Sequence, residues 1–235
     1  MNKLIKVDRV CSVDEAKAVE ELGAGLIGVP LDPDPRFADR RTVAMELAAE
    51  IGASLRTAGL VAMVDLREDP FDGIRRARAI GARLVQPLGG AIPEPQVRAA
   101  LREAGISIVY AGIEAAHDDD PAWILSRYTT VDDLQAAFFQ VDVLPEYRNA
   151  WQVLRDESPA YDDELQIDDL NQLARGHDLV AVLDYTPQNV AQIVAALPAF
   201  RGVALTLADH ATRTDVHFTG YAQALEVLRA LRGRG

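Results

Sequence analysis

Eight times along this chain a short apolar run is followed by a longer amphipathic segment. The runs are residues 4–11 (LIKVDRVC), 25–30 (GLIGVP), 60–66 (LVAMVDL), 82–88 (ARLVQPL), 106–113 (ISIVYAGI), 138–144 (FFQVDVL), 178–184 (DLVAVLD) and 202–209 (GVALTLAD). The runs are apolar almost throughout rather than alternating, as parallel strands covered by helices on both sides require. Between them, helices are predicted within residues 13–23, 40–59, 70–81, 92–105, 118–137, 165–176, 187–200 and 220–232. Glycines stand at the predicted helix ends, and Pro or Asp near the starts. A repeated βα unit builds either an open doubly wound sheet or a closed barrel. Eight units in 235 residues favour an α/β fold of the (β/α)8 type, a single barrel domain over residues 1–235. Only residues 145–164 break the rhythm, with the irregular composition of an elaborated loop over a site.

Composition narrows the function. The formal net charge of −12 argues against a general surface for nucleic acid or anionic membrane, since both need clustered Lys and Arg. Cys11 is the one cysteine, so no intrachain disulfide forms, which fits a cytoplasmic location. No stretch approaches the roughly 20 apolar residues of a membrane span, and the first residues lack a secretory pattern. The expected partner is a small-molecule substrate, with no nucleic acid and no membrane, on a monomer or homodimer. No cofactor is expected.

In a barrel of this kind the site lies at the C-terminal ends of the strands. The polar residues there are Cys11, Asp65, Gln86, Asp142, Asp184 and Asp209, with Arg36 in the loop after the second strand. Each has an ordinary structural reading too. A lone Cys is often a small core residue, and an Asp after a strand often caps the next helix. Asp142 is harder to explain that way. It stands between Val141 and Val143, where an unpaired carboxylate is costly in either direction.

The order and spacing of these residues resemble the phosphoribosylanthranilate isomerases, single-domain (β/α)8 barrels. The family's opening K-x-C-G strand is similar to RVCS, with Cys11 in place and Ser12 for the glycine. Its S-P-R loop is similar to DPR, keeping Arg36. Its V-Q-L-H-G strand is similar to VQPLGG, keeping Gln86, and its L-L-D strand to QVD, keeping Asp142. Its A-G-G-L-x-P-x-N-V turn is similar to VLDYTPQNV at residues 182–190. The resemblance implies an Amadori-type aldose-to-ketose isomerisation. Cys11 would be the general base, Asp142 the general acid, and Arg36 the holder of a substrate carboxylate.

The departures gather at the family's phosphate cradle. Its glycines become Leu183 and Asp184 after the seventh strand, and Ala208 followed by Asp209 after the eighth. The loop after the sixth strand has no glycine. Side chains would obstruct such a cradle. A carboxylate about 4–6 Å away would repel a phosphate by ~1 kcal/mol or more. The sequence therefore predicts a related isomerase acting on an unphosphorylated substrate, with Asp65, Gln86, Asp184 and Asp209 joining Arg36 in binding. Arg148, Arg155 and Arg213 offer an alternative anion site.

Two alternatives stand beside it. A catalytically silent binding or assembly subunit predicts a mouth plugged by Tyr185, Trp151 or Tyr147. A metal-dependent lyase or hydrolase predicts at least three of Asp65, Asp142, Asp184 and Asp209 converging on one point. His117, His177, His210 and His217 lack the paired spacing of a zinc site.

Overall fold

The computed structural model describes residues 3–214 and 216–233. Eight parallel strands close on themselves in sequence order, with β1 paired to β8. The units run β1 Leu4–Asp8, α1 Val13–Glu21, β2 Leu26–Pro30, α2 Met45–Ser54, β3 Gly59–Val64, α3 Pro70–Ala79, β4 Leu84–Pro87 and α4 Pro95–Glu103. They continue with β5 Ser107–Ala115, α5 Pro121–Ile124, α6 Ser126–Thr129, β6 Ala136–Val143, α7 Ala150–Gln152, α8 Ile167–Gly176, β7 Leu179–Val182, α9 Val190–Ala196, β8 Gly202–Thr206 and α10 Tyr221–Arg232. The eight-unit reading holds.

The local signals act where they stand. Ser12 caps α1, accepting from the Glu15 N–H at 3.1 Å, and Asp69 caps α3 through the Asp72 N–H at 2.9 Å. Gln166 and Asp169 form a capping box at α8. The helix predicted within 118–137 is reduced to the four-residue α5 and α6, because Asp120-Pro121 starts a helix that stops at Leu125. Residues 145–164 hold only α7, one wide turn and one tight turn.

Two apolar layers hold the barrel. The larger lies between strands and helices and includes Val7, Ile27, Val141 and Leu205. The smaller fills the lower interior with Val61, Val109, Phe138, Val180, Val182 and Ala204. Alternation along each strand then fixes what stands above that floor. On β1 the inward face climbs from Leu4 to Lys6 to Asp8, and on β6 from Phe138 to Gln140 to Asp142.

Two backbone irregularities shape the mouth. β1 ends at Asp8 because Arg9 takes a left-handed conformation, φ 66°, which costs a non-glycine residue roughly 1–2 kcal/mol. On β5, Tyr110 pairs with Phe139 but Ile113 pairs with Val141. One extra residue is thus inserted at Ala111-Gly112, with Gly112 at φ 72°. Beyond this bulge Glu114 lies beside Asp142.

Candidate active site

The middle of the barrel carries a buried polar network. Lys6 has no exposed surface, and its ammonium ion-pairs with Asp8. It also donates to Gln86 Oε1 at 2.6 Å and Gln140 Oε1 at 2.8 Å. Gln140 Nε2 donates to Asp8 Oδ2 at 3.1 Å. Asp8, 1% exposed, therefore accepts on both oxygens, the pattern of a carboxylate. Its room is secured by Gly28 on β2, where a Cβ would lie 2.2 Å from Asp8 Oδ1.

Asp142 stands above this network and accepts no hydrogen bond among the described residues. Burial pushes its carboxyl up to about 6, with Glu114 and Asp8 adding to the rise and Arg36 and His217 opposing it. Burial also lowers the Lys6 ammonium, against the opposing pull of Asp8.

Two cavities flank Asp142. The first, about 230 Å³, is lined by Arg36, Gln86, Gly90, Gly112, Glu114 and Arg213 among others. Arg36 meets Asp34 with Nε and Nη2, the latter at 2.8 Å, while Nη1 lies 3.9 Å from where a Gly112 Cβ would stand. Burial alone would raise the Asp34 carboxyl, but Arg36 outweighs it and holds it low. Arg213 meets Glu114 at 3.3 Å. The second cavity, about 210 Å³, lies at the ends of β7 and β8 and includes Asp184, Thr206 and His217. Burial raises the Asp184 carboxyl, opposed by the Trp151 N–H, which donates to its Oδ1 at 2.8 Å, and by His217. His217 is buried, with Nε2 against the Val143 carbonyl at 2.8 Å, so that nitrogen donates and Nδ1 remains.

The backbone around this second cavity is already committed. The Tyr185 N–H donates to the Leu183 carbonyl at 2.8 Å, and the Thr186 N–H to Asn189 Oδ1 at 2.7 Å. The Asn189 N–H donates to Thr186 Oγ1 at 3.1 Å. After β8, the Leu207 and Ala208 N–H groups donate to the carbonyls of Asp8 and Thr219 at 3.0 and 3.1 Å. The Asp209 N–H faces Asp39 Oδ2 at 3.3 Å. Six donors that could line an anion cradle are turned inward.

Cys11, the expected base, is not on the inward face of β1, which ends at Asp8. It lies beyond the strand end, half-buried against the layer under the helices, with Sγ 3.5 Å from Glu15 Oε2. Burial and then Glu15 raise its thiol, the wrong direction for a thiolate. The neighbouring Arg9 is paired with Asp39 and stacked 3.9 Å over Phe37. Charges acting on Asp142 come from Arg36, His217, Glu114 and Asp8, whereas those acting on Cys11 come from Glu15, Arg41 and Asp39.

Asp65 and Asp209 also stand apart. Asp65 forms a forked pair with Arg67, at 2.9 and 2.6 Å, out on the loop after β3. Asp209 is exposed. Among the described residues no group of three or more His, Cys, Asp or Glu is placed to hold a metal ion. Tyr185 is buried with its hydroxyl on the Ala181 carbonyl at 3.0 Å, and Trp151 is buried in the outer layer, so neither fills the mouth. Tyr147 packs against His117.

Nearly the whole chain superposes on solved phosphoribosylanthranilate isomerases. The Thermus thermophilus protein is 20% identical, with a TM-score of 0.63, over 98% of this chain and 97% of that one. The Pyrococcus furiosus N-(5'-phosphoribosyl)anthranilate isomerase is 15% identical, with a TM-score of 0.67, over 99% and 100%. The Thermococcus kodakaraensis protein is 19% identical, with a TM-score of 0.66, over the full length of both. The chain shares their fold. No family model matches the sequence, and no curated protein matches it. The likeness therefore carries the architecture.

On β1 Lys6 and Asp8 face the interior, and Asp8 ends the strand where Arg9 takes its positive φ. Sequence reasoning missed Lys6, Asp8, Gln140, Glu114 and His217. A signal for three of them was present: Lys6/Asp8 and Gln140/Asp142 are polar pairs two residues apart inside apolar runs. The other two depend on the β5 bulge and on a long loop.

Proposed function

We propose that this chain is an acid–base isomerase of the aldose-to-ketose type, acting on a small, carboxylate-bearing, unphosphorylated aldosylamine. The observation that carries the reading is the unequal pair of inward carboxylates. Asp142 has no hydrogen-bond partner among the described residues and a carboxyl raised to about 6, so it holds a proton to donate in mildly acidic solution and in a minor fraction at neutrality. Asp8 accepts from Lys6 and Gln140 and ends β1 on the inward face, the place of a base in this reading. Environments that separate two carboxylates in this way divide acid from base.

In this reading Asp142 protonates the ring oxygen as the sugar opens, and Asp8 takes the C2 proton. Arg36, through Nη1, receives the substrate carboxylate in the first cavity. Each cavity is smaller than the roughly 300–1,000 Å³ of a ligand pocket, so one ligand spanning Asp142 would draw on both. The committed backbone donors and Asp184 support the unphosphorylated end.

The test is turnover of N-(2-carboxyphenyl)ribosylamine to the aminoketose, compared with its 5-phosphate. Asp8→Asn and Asp142→Asn should each lower kcat by about 100-fold or more. Efficient turnover of the phosphate ester, or turnover indifferent to both substitutions, would sink the proposal. A second reading, a silent binding barrel, has one observation in its favour: Asp8 is sealed and engaged on both oxygens. It expects binding of the same compound with no exchange of the C2 proton into deuterated solvent.

A further inference from the structure

We infer that the cavity at the ends of β7 and β8 binds the neutral, hydroxylated tail of the substrate, through side chains in place of a backbone anion cradle. This rests on the isomerase reading for the rest of the ligand, and adds the chemical class held at the far end.

Three observations converge. The first is hydrogen-bonding capacity left unspent around one space. Asp184 uses Oδ1 for the Trp151 N–H and leaves Oδ2 as an acceptor. The Thr206 hydroxyl and the Gln223 amide line the same cavity with no hydrogen-bond partner among the described residues, and the Thr219 hydroxyl has there only a 3.5 Å contact with the Gly220 carbonyl. A carboxylate oxygen, two hydroxyls and an amide offer donors and acceptors together, which hydroxyl groups satisfy and a phosphate, an acceptor only, does not. Thr206 is also the β8 partner of Asp8, so the tail would leave the reacting end along the strand edge.

The second observation is charge. The half-buried Asp184 and the exposed Arg148 face one cavity with opposite signs. That balance favours neither a dianion nor a cation. The third is shape. Phe218, 42% exposed, lines the same space and is held edge-on against Phe37, with ring centroids 6.3 Å apart. The negative face of an aromatic ring suits the weakly positive C–H groups of a sugar chain.

The experiment compares 1-(2-carboxyphenylamino)-1-deoxypentitol, its 5-phosphate, and the tail-less N-methylanthranilate, by calorimetry on the full chain. The alcohol should bind at least tenfold more tightly than the phosphate. Asp184→Asn, which keeps an acceptor for the Trp151 N–H, and Gln223→Ala should each weaken the alcohol about fivefold or more and leave N-methylanthranilate unchanged. Equal or tighter binding of the phosphate, lost in Arg148→Ala, overturns the inference and leaves the isomerase reading standing. Alcohol binding indifferent to Asp184→Asn and Gln223→Ala also overturns it. Failure of Arg36→Ala to weaken N-methylanthranilate counts against the carboxylate end alone. In that case pentitol against pentitol 5-phosphate, followed by ligand-observed NMR with and without Asp184→Asn, decides the tail by itself.

Discussion

Replacing Lys6 by Met removes the only buried ammonium among the described residues while keeping most of its length. In the native chain its Nζ serves Asp8, Gln86 and Gln140 with no water contact. Breaking one side of a buried ion pair costs about 3–5 kcal/mol, because the remaining charge stays buried without compensation. Amide reorientation of Gln86 and Gln140 recovers part of the ~1–3 kcal/mol that each stranded acceptor would cost. A net loss of about 3–5 kcal/mol near pH 7 follows, a large share of the ~5–15 kcal/mol of a typical fold. Urea denaturation of both proteins at pH 7.5 reads this directly. The double variant Lys6→Met/Asp8→Asn should recover part of the loss at pH 7.5. A deficit under about 1 kcal/mol would refute the account of Lys6 as the compensating charge.

Other outcomes follow from the same geometry. Asp142 has a folded pKa of about 6, above its unfolded value, so its contribution to stability is present at low pH and lost as pH rises through 6. Asp142→Asn should therefore be more stable than the native chain by about 2–3 kcal/mol at pH 7.5 but not at pH 4, measured by urea midpoints. As general acid, Asp142 also predicts that kcat/KM falls as pH climbs above about 6, a limb absent when another group donates. Gly28→Ala would drive a Cβ into the Asp8 carboxylate, costing about 1–3 kcal/mol and lowering turnover more than stability; unchanged kcat would count against Asp8 as base. Cys11→Ser should leave activity unchanged, and a large drop would restore the thiol to the mechanism.

The parts legible in the sequence are those set by local rules. Strand and helix order followed from apolar runs and caps; Gln86, Asp142 and Asp184 stood out as polar residues within or at the ends of apolar runs, and Arg36 as the basic residue of the loop after the second strand. Cys11 misled because the apolar run continues through Val10, while the strand itself stops at Asp8. That stop is made by the backbone of Arg9, a residue whose type gives no hint of positive φ. Asp65 misled for another reason: its neighbour Arg67 satisfies it on the spot. Lys6 and Asp8 were overlooked because a charged pair inside a strand reads as surface until the sheet closes. Only then do their side chains share an interior with Gln86 and Gln140.

The bulge at Ala111-Gly112 makes β5 a strand of two phases. Below it odd-numbered Val109 faces the interior; above it even-numbered Glu114 stands beside Asp142. Were β5 paired regularly at its present length, odd-numbered Ile113 would face the interior and Glu114 the helices. The one inserted residue thus sets the parity of the charges around the acid, and deleting Gly112 would close the bulge and leave Glu114 beside Asp142.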